Sequence, residues 1–346
     1  MSNGSWRKLE RRVPMTTEPP FSSAPADGCY SLPVLRIGIS SCLLGEEVRY
    51  DGQHKLNRFL RDTLGEYVEY VPVCPEVECG LPTPREAMRL VGDPASPRLV
   101  TIKTGRDLTD QMLQWASGRL EALEAENLSG FIFKSKSPSS GMERVKVYDK
   151  NSVPHKVGSG LFAAAFMRHF PTLPTEEDGR LNDPGLRENF IERIFVMGRW
   201  RELLAGRASL GELVEFHTRH KLLLLAHSTK HYREMGKLVA EGKGQDHAEL
   251  LSRYQALLME GLKLKATPAK NANVLQHLLG YFKKQLSADE KQELVELIER
   301  YRQGYIPLVV PVTLIAHFVR KYQQPYLMQQ IYLNPHPLEL QLRNHA

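Results

Sequence analysis

Cysteine is scarce in this 346-residue sequence: there are four, Cys29, Cys42, Cys74 and Cys79, and none follows position 79. That distribution excludes a disulfide-stapled secreted scaffold, whose cysteines run through the chain. Long apolar runs are missing as well. Runs such as residues 222–226 and 306–310 fall far short of the roughly 20 residues a membrane helix needs. The N-terminal stretch is basic but has no apolar centre of the secretory kind, and its Pro, Ser, Thr and Glu content predicts a flexible tail over residues 1–33. A cytoplasmic location with no membrane partner is the expectation. No fixed-period repeat is present, which excludes a solenoid.

What the chain does have is an ordinary globular composition, 42% hydrophobic and 25% charged, at a length that suggests two domains. The charge is unevenly placed. From Gly206 onward there are 19 Lys and Arg against 13 Asp and Glu, which accounts for the whole net charge of +6, and nine of the twelve histidines lie there too. A basic half suggests an anionic partner, nucleic acid ahead of membrane.

Residues 34–40, 67–73 and 130–134 read as strands, each running into a loop. Residues 55–64, 107–126 and 160–170 show helical spacing, and a hairpin is expected around Gly92-Asp93-Pro94, with a further strand at 144–148. Strands alternating with helices predict an α/β domain over 34–182, an open, mostly parallel, Rossmann-like sheet covered on both faces. From Asp183 strand signals almost vanish. Helical patterns at 186–204, 210–226, 230–241, 247–264, 271–286, 288–301 and 308–321 predict an all-α domain over 183–346. Ser287 and Glu290 match a capping box at the start of one of these helices.

The three loops carry the chemistry. In parallel sheets ligands sit beyond the carboxyl ends of the strands, and there this sequence places Cys42, then Cys74 and Cys79 with Glu76 between them, then the Ser-rich turn 135–142 flanked by Lys134 and Lys136. The plainer reading of the cysteines is small buried apolar groups, that of Glu76 a surface carboxylate, and that of the serines turn chemistry. Against these stand the motifs CLLG…RYDG, CPE…GLPTPRE and KSKSPSSG, in that order, which resemble the thiouracil desulfidase family over roughly residues 34–170.

That resemblance implies a [4Fe–4S] cluster held by three cysteines, its fourth iron open to the sulfur of a thiocarbonyl base. The family has cysteine where this sequence has Ser140. Cys42, Cys74 and Cys79 are therefore the expected ligands, with Cys79 making good the loss at Ser140 and Cys29 outside the set. Glu76 is the candidate for activating water, and the Ser137 and Ser139 hydroxyls for holding the base or a developing anion.

Residues 206–346 resemble the helical domain fused to this desulfidase domain in bacterial RNA 4-thiouridine desulfidases, which implies thiouridine in tRNA as substrate. Lys283 and Lys284, following Tyr281 and Phe282, join phosphate-pairing charge to stacking faces. Arg219 and Lys221 lie in a stretch with His217, His220, His227, Lys230, His231 and Arg233 that is either an RNA contact or a solvated basic face. Asn273, Gln276 and His277 share one helical face. His227 and His231 have the spacing of a helical zinc pair but no further ligands nearby. Two rival readings remain: a desulfidase for free thiouracil whose helical half builds an oligomer, and a non-catalytic RNA-binding protein whose cluster site has decayed at Ser140.

Overall fold

The computed structural model describes residues 35–345, so Cys29 and the expected tail over 1–33 lie outside the described residues. Strands β1 (Leu35–Ser40) and β2 (Val68–Val73) are followed by the four-residue helix α1 (Pro75–Glu78) and the hairpin β3 (Met88–Val91) and β4 (Arg98–Thr101). Next come helix α2 (Thr109–Glu124), strands β5 (Gly130–Phe133), β6 (Val145–Tyr148) and β7 (Pro154–Gly158), helix α3 (Leu161–His169) and strand β8 (Thr175–Glu177).

The strands form two sheets. The main one has the order β2-β1-β5-β8 and is wholly parallel. The second, β4-β3-β6-β7, pairs β3 with β6 in parallel and is otherwise antiparallel. The strand expected at residues 144–148 therefore joins the hairpin and not the main sheet. The helical pattern at residues 55–64 forms only a π-helical turn, Phe59–Thr63.

Eight helices follow: α4 (Pro184–Ala205), α5 (Leu210–His227), α6 (Thr229–Ala240), α7 (His247–Lys263), α8 (Pro268–Gly280), α9 (Ala288–Arg302), α10 (Val309–Lys321) and the short α11 (Pro325–Met328). Their starts are written in the sequence. Asp183, Ser228, Asp246 and Thr267 each accept a backbone N–H at an N-cap, and Ser209 and Ser287 form capping boxes with Glu212 and Glu290.

The cores run across the expected domain boundary. On one face of the main sheet Val71, Val73, Phe131 and Phe133 pack with Phe162 and Phe166 of α3. The same apolar cluster continues into Trp200, Leu213, Phe216 and Tyr254 of the helical half. On the other face Leu35, Ile37, Ile39 and Ile132 pack against Phe190, Ile191, Ile194 and Phe195 of α4, with Leu340 and Leu342 from the C-terminal segment. Helix α4 thus supplies the second covered face of the parallel sheet while opening the helical array. Residues 35–345 fall within one compact unit.

Candidate active site

Strand register builds the site. Ser40 lies opposite Val73, Ile39 opposite Ile132, and Phe133 opposite Glu177, so the carboxyl ends of all four parallel strands align. Cys42, Cys74, Lys134 and Asp178 each come within two residues of those ends and share one edge of the sheet. The crevice there is a cavity of about 400 Å³, walled by Cys42, Cys74, Glu76, Arg85, Lys134 and Ser137, with Ser140 also at the wall. Its size is that of a small-molecule site.

Three local devices hold the walls. Arg85 donates to the Val48 carbonyl (2.9 Å), and its backbone N–H to the Tyr50 carbonyl (2.8 Å), tying the first loop to the second. The Ser-rich turn is pinned by α3, whose Leu161 and Ala163 N–H groups donate to the Pro138 and Ser139 carbonyls (3.2 and 3.1 Å). Gly160 must be glycine there, because a Cβ would meet the Ser139 carbonyl at 2.4 Å. Lys134 is held by Asp178 (2.8 Å) and by the Ser135 hydroxyl (3.0 Å). Sequence reasoning missed Asp178, which lies beyond any of the three motifs, and gave Arg85 no role although it sits in GLPTPRE.

Glu76 is the most heavily used group. One carboxylate oxygen accepts from the Ser139 hydroxyl in a short hydrogen bond; the other accepts from the Cys74 thiol (3.6 Å) and stands 3.9 Å from Arg85. Ser139 is fully buried behind the wall and lies 2.9 Å from the Ser137 hydroxyl, so it reaches the cavity through Glu76, Ser137 and Ser140. The Ser137 hydroxyl in turn accepts from the Ser140 N–H (3.1 Å).

Burial pushes the Cys42 thiol up to about 11 and the Cys74 thiol up to about 12, with Lys134 opposing the shift at Cys42 and Glu76 adding to it at Cys74. Both are protonated without a metal, and binding soft iron would displace those protons. Cys79 does not line the cavity. It caps α1, donates to the Glu76 carbonyl (3.3 Å) and packs beside the apolar cluster of Leu81, Leu90 and Met112. The structure thus brings together Cys42, Cys74, Glu76, Lys134, Lys136 and Ser137 from the expected set, with Ser139 behind them, while Cys79 stands one helical turn away.

The candidates in the helical half are dispersed. Lys283 and Lys284 are exposed, but Phe282 is wholly buried, so of the two rings expected to stack only Tyr281 is exposed, and it stacks on Tyr326 (5.3 Å between centroids). Lys221 sits over the Tyr326 ring (4.8 Å), and Arg219 pairs with Glu215. Asn273, Gln276 and His277 are exposed together. His217, His220, His227 and His231 are all buried, so the expected basic face loses half its members. His227 contacts Glu192 (3.1 Å) and the Leu264 carbonyl (2.7 Å), and His231 contacts Ser228, which leaves no paired metal position. Glu188, Glu192 and His336 approach one another as metal ligands would, but Arg343 already binds both carboxylates.

A family model for 2-thiouracil desulfurase matches residues 37–178, which hold every residue of the cavity. The chain belongs to the 2-thiouracil desulfurase family. Residues 221–337 match a second model, a protein family of unknown function termed DUF1722. Uncharacterized protein YbgA of Escherichia coli (strain K12) is 33% identical over 158 residues, 45% of this chain and 94% of YbgA. Uncharacterized protein YbbK of Bacillus subtilis (strain 168) is 33% identical over 132 residues, 36% of this chain and 85% of YbbK. A solved structure described as the [4Fe-4S]-dependent thiouracil desulfidase TudS is 31% identical, covering 43% of this chain and 94% of its own, with a TM-score of 0.36. Within the desulfurase family, this chain therefore joins the cavity-bearing half to a DUF1722 half through α4.

Proposed function

We propose that this chain hydrolyses a thiocarbonyl pyrimidine to the carbonyl form without net redox change, using a [4Fe–4S] cluster, and that its substrate is thiouridine in RNA, 4-thiouridine of tRNA becoming uridine. The observation that carries the reaction is the juxtaposition of two thiols, Cys42 and Cys74, with a carboxylate, Glu76, on one cavity wall. The family description supplies the reaction class, and the description of TudS the cofactor.

The donor set fits such a cluster at two positions. Cys42 and Cys74 would hold it, and Lys134, Arg49 and Arg85 on the same walls offset its negative charge. For the third ligand soft iron favours thiolate over hydroxyl. Cys79 is therefore proposed ahead of Ser140, although it must swing round the turn at Gly80 to reach the cavity. When bound, the cluster would supply Lewis acidity toward a thiocarbonyl sulfur. Glu76 accepts one proton from the attacking water, whose oxygen forms the new C–O bond; as the C–S bond breaks, the remaining hydroxyl proton goes to the departing sulfur, which leaves as hydrosulfide, and Glu76 gives its proton up to that sulfur or to solvent. Ser139 fixes the orientation of Glu76, and the Ser137 hydroxyl faces the base.

A free thio-base is the second reading, because a cavity of about 400 Å³ admits a base without its polymer. The test is anaerobic reconstitution followed by turnover of thiouracil and of a thiouridine-bearing tRNA, read as loss of thiocarbonyl absorbance. The expected protein holds close to four irons and absorbs broadly near ~400 nm. It also turns over the tRNA with the higher kcat/KM. A cluster-loaded protein inert on both substrates would overturn the reaction. A preference for the free base would move the substrate to the second reading.

A further inference from the structure

A second, larger hollow of about 830 Å³ adjoins the cavity and shares Met88, Ser135, Lys136 and Pro138 with it. Its walls carry Arg89, Lys136, Arg144, Lys146 and Lys156, and among the described residues none of these five makes an ion pair. The acidic groups in the same walls are already committed: Glu143 pairs with Arg180 (2.6 Å), and Glu177 accepts the Met142 N–H (2.7 Å). By formal count residues 1–205 are neutral, so this concentration is local.

Three features mark the hollow as costly to build. Lys146 of β6 lies directly opposite Lys156 of β7 in an antiparallel pair, where like charges destabilise. Lys136 and Arg144 both sit in the left-handed backbone region, at φ +62 and +54, which non-glycine side chains rarely adopt. Arg89 stacks on the Tyr148 ring (5.0 Å) with its buried Nε lacking any partner. In contrast, many cations of the helical half are paired along their own helices, as in Lys230–Glu234, Lys237–Glu241, Arg253–Glu249 and Arg300–Glu296.

We infer that this groove on the second sheet grips the phosphates of a single-stranded RNA segment whose thiolated base enters the cavity beside it. The inference rests on the desulfidase reading and names the surface through which that site takes a polymer. Lys136, at the shared wall, meets the phosphate nearest the flipped base, and Arg144, Lys146 and Lys156 carry the strand onward. A free base would leave these five cations without a counter-charge.

The test is fluorescence anisotropy with the full chain and a labelled single-stranded RNA carrying one 4-thiouridine. K146A/K156A is expected to weaken binding roughly tenfold at low salt. It should also flatten the slope of log K against log salt by about 1.4, from two lost phosphate contacts at about 0.7 each. Thermal melting checks folding, with K146Q/K156Q as a second variant; both should melt at or above the wild type, since an opposed charge pair is gone. Wild-type affinity and slope in folded K146A/K156A would overturn the inference. So would equal competition by 4-thiouridine 5′-monophosphate and the oligonucleotide, which would reduce the groove to a single-phosphate site. Binding is read without turnover. Absence of desulfuration would therefore sink the reaction and not the groove, and unchanged binding the groove and not the reaction.

Discussion

Glu76 is a carboxylate with little access to water, and it is held by a hydroxyl from the Ser-rich turn and by a thiol and a guanidinium from its own loop. Such a constellation keeps a base in one orientation against the cavity. Glu76→Gln should keep the iron content of the wild type and lower turnover by roughly 10²–10⁴-fold; near-normal turnover in the loaded variant would remove Glu76 from the chemistry. Ser139 touches only Glu76 and neighbouring serines, so Ser139→Ala should lower kcat and leave KM unchanged. The cysteines separate by iron content: Cys42→Ala and Cys74→Ala should each lose the cluster, Cys79→Ala should lose it too, and Ser140→Ala should not. Iron retained in Cys79→Ala and lost in Ser140→Ala would give the third position to the hydroxyl at the wall. Cys42 and Cys74 were legible because each directly follows a strand end. Cys79 was ambiguous because sequence spacing does not say which side of a one-turn helix faces the crevice, and here the sulfur turns toward Leu81 and Met112.

Among the elements, α5 shows most clearly how a sequence pattern misleads. Its His217, Arg219, His220 and Lys221 read as one basic face, yet the two histidines point into the core while Arg219 and Lys221 remain nearer solvent. Helical period separates them, and histidine is apolar enough when neutral to be buried. His220 stacks on Phe216 (3.9 Å between centroids) and contacts its carbonyl (2.8 Å); His217 contacts the Tyr254 hydroxyl (3.2 Å). Burial lowers His217 to about 4 and His220 to about 3. The unfolded chain therefore binds protons that the native helix refuses, and stability falls as pH drops from about 6.5 toward 4. Urea midpoints measured across that window should decline with falling pH, and more shallowly in His220→Phe. An equally steep decline in that variant would show that other groups govern acid lability. The helices themselves were legible from apolar period and caps. Strands β7 and β8 were not, because β7 is almost wholly exposed and β8 spans three residues, too little for alternation to register.

For the whole molecule the decisive feature is that α4 belongs to both halves. Its Phe190, Ile191 and Ile194 cover the β1 face of the sheet, while Trp200, near its C-terminal end, joins the core of the helical array through Phe216 and Tyr254. Leu340 and Leu342 return the end of the chain to the same sheet face, and Arg343 clamps them by reaching Glu188 and Glu192 of α4 (3.3 and 3.0 Å). A boundary at residue 183 is visible in sequence as the place where strand patterns stop, but composition cannot show that the next helix completes the preceding core. Cutting there would strip the cover from Leu35, Ile37 and Ile39, three side chains with no exposure. Arg343→Leu in the full chain tests the clamp: it leaves Glu192 buried without its guanidinium, a loss of about 3–5 kcal/mol. Trp115, in α2, and Trp200 report on opposite halves. With Trp6 and one or other of these two tryptophans replaced by Phe, both fluorescence transitions should coincide with each other and with release of the cluster. In Arg343→Leu they should move together to lower denaturant. Two separated transitions, with the Trp115 signal and the cluster unmoved by Arg343→Leu, would mean that the halves fold independently and that α4 is a linker with apolar contacts rather than a shared wall.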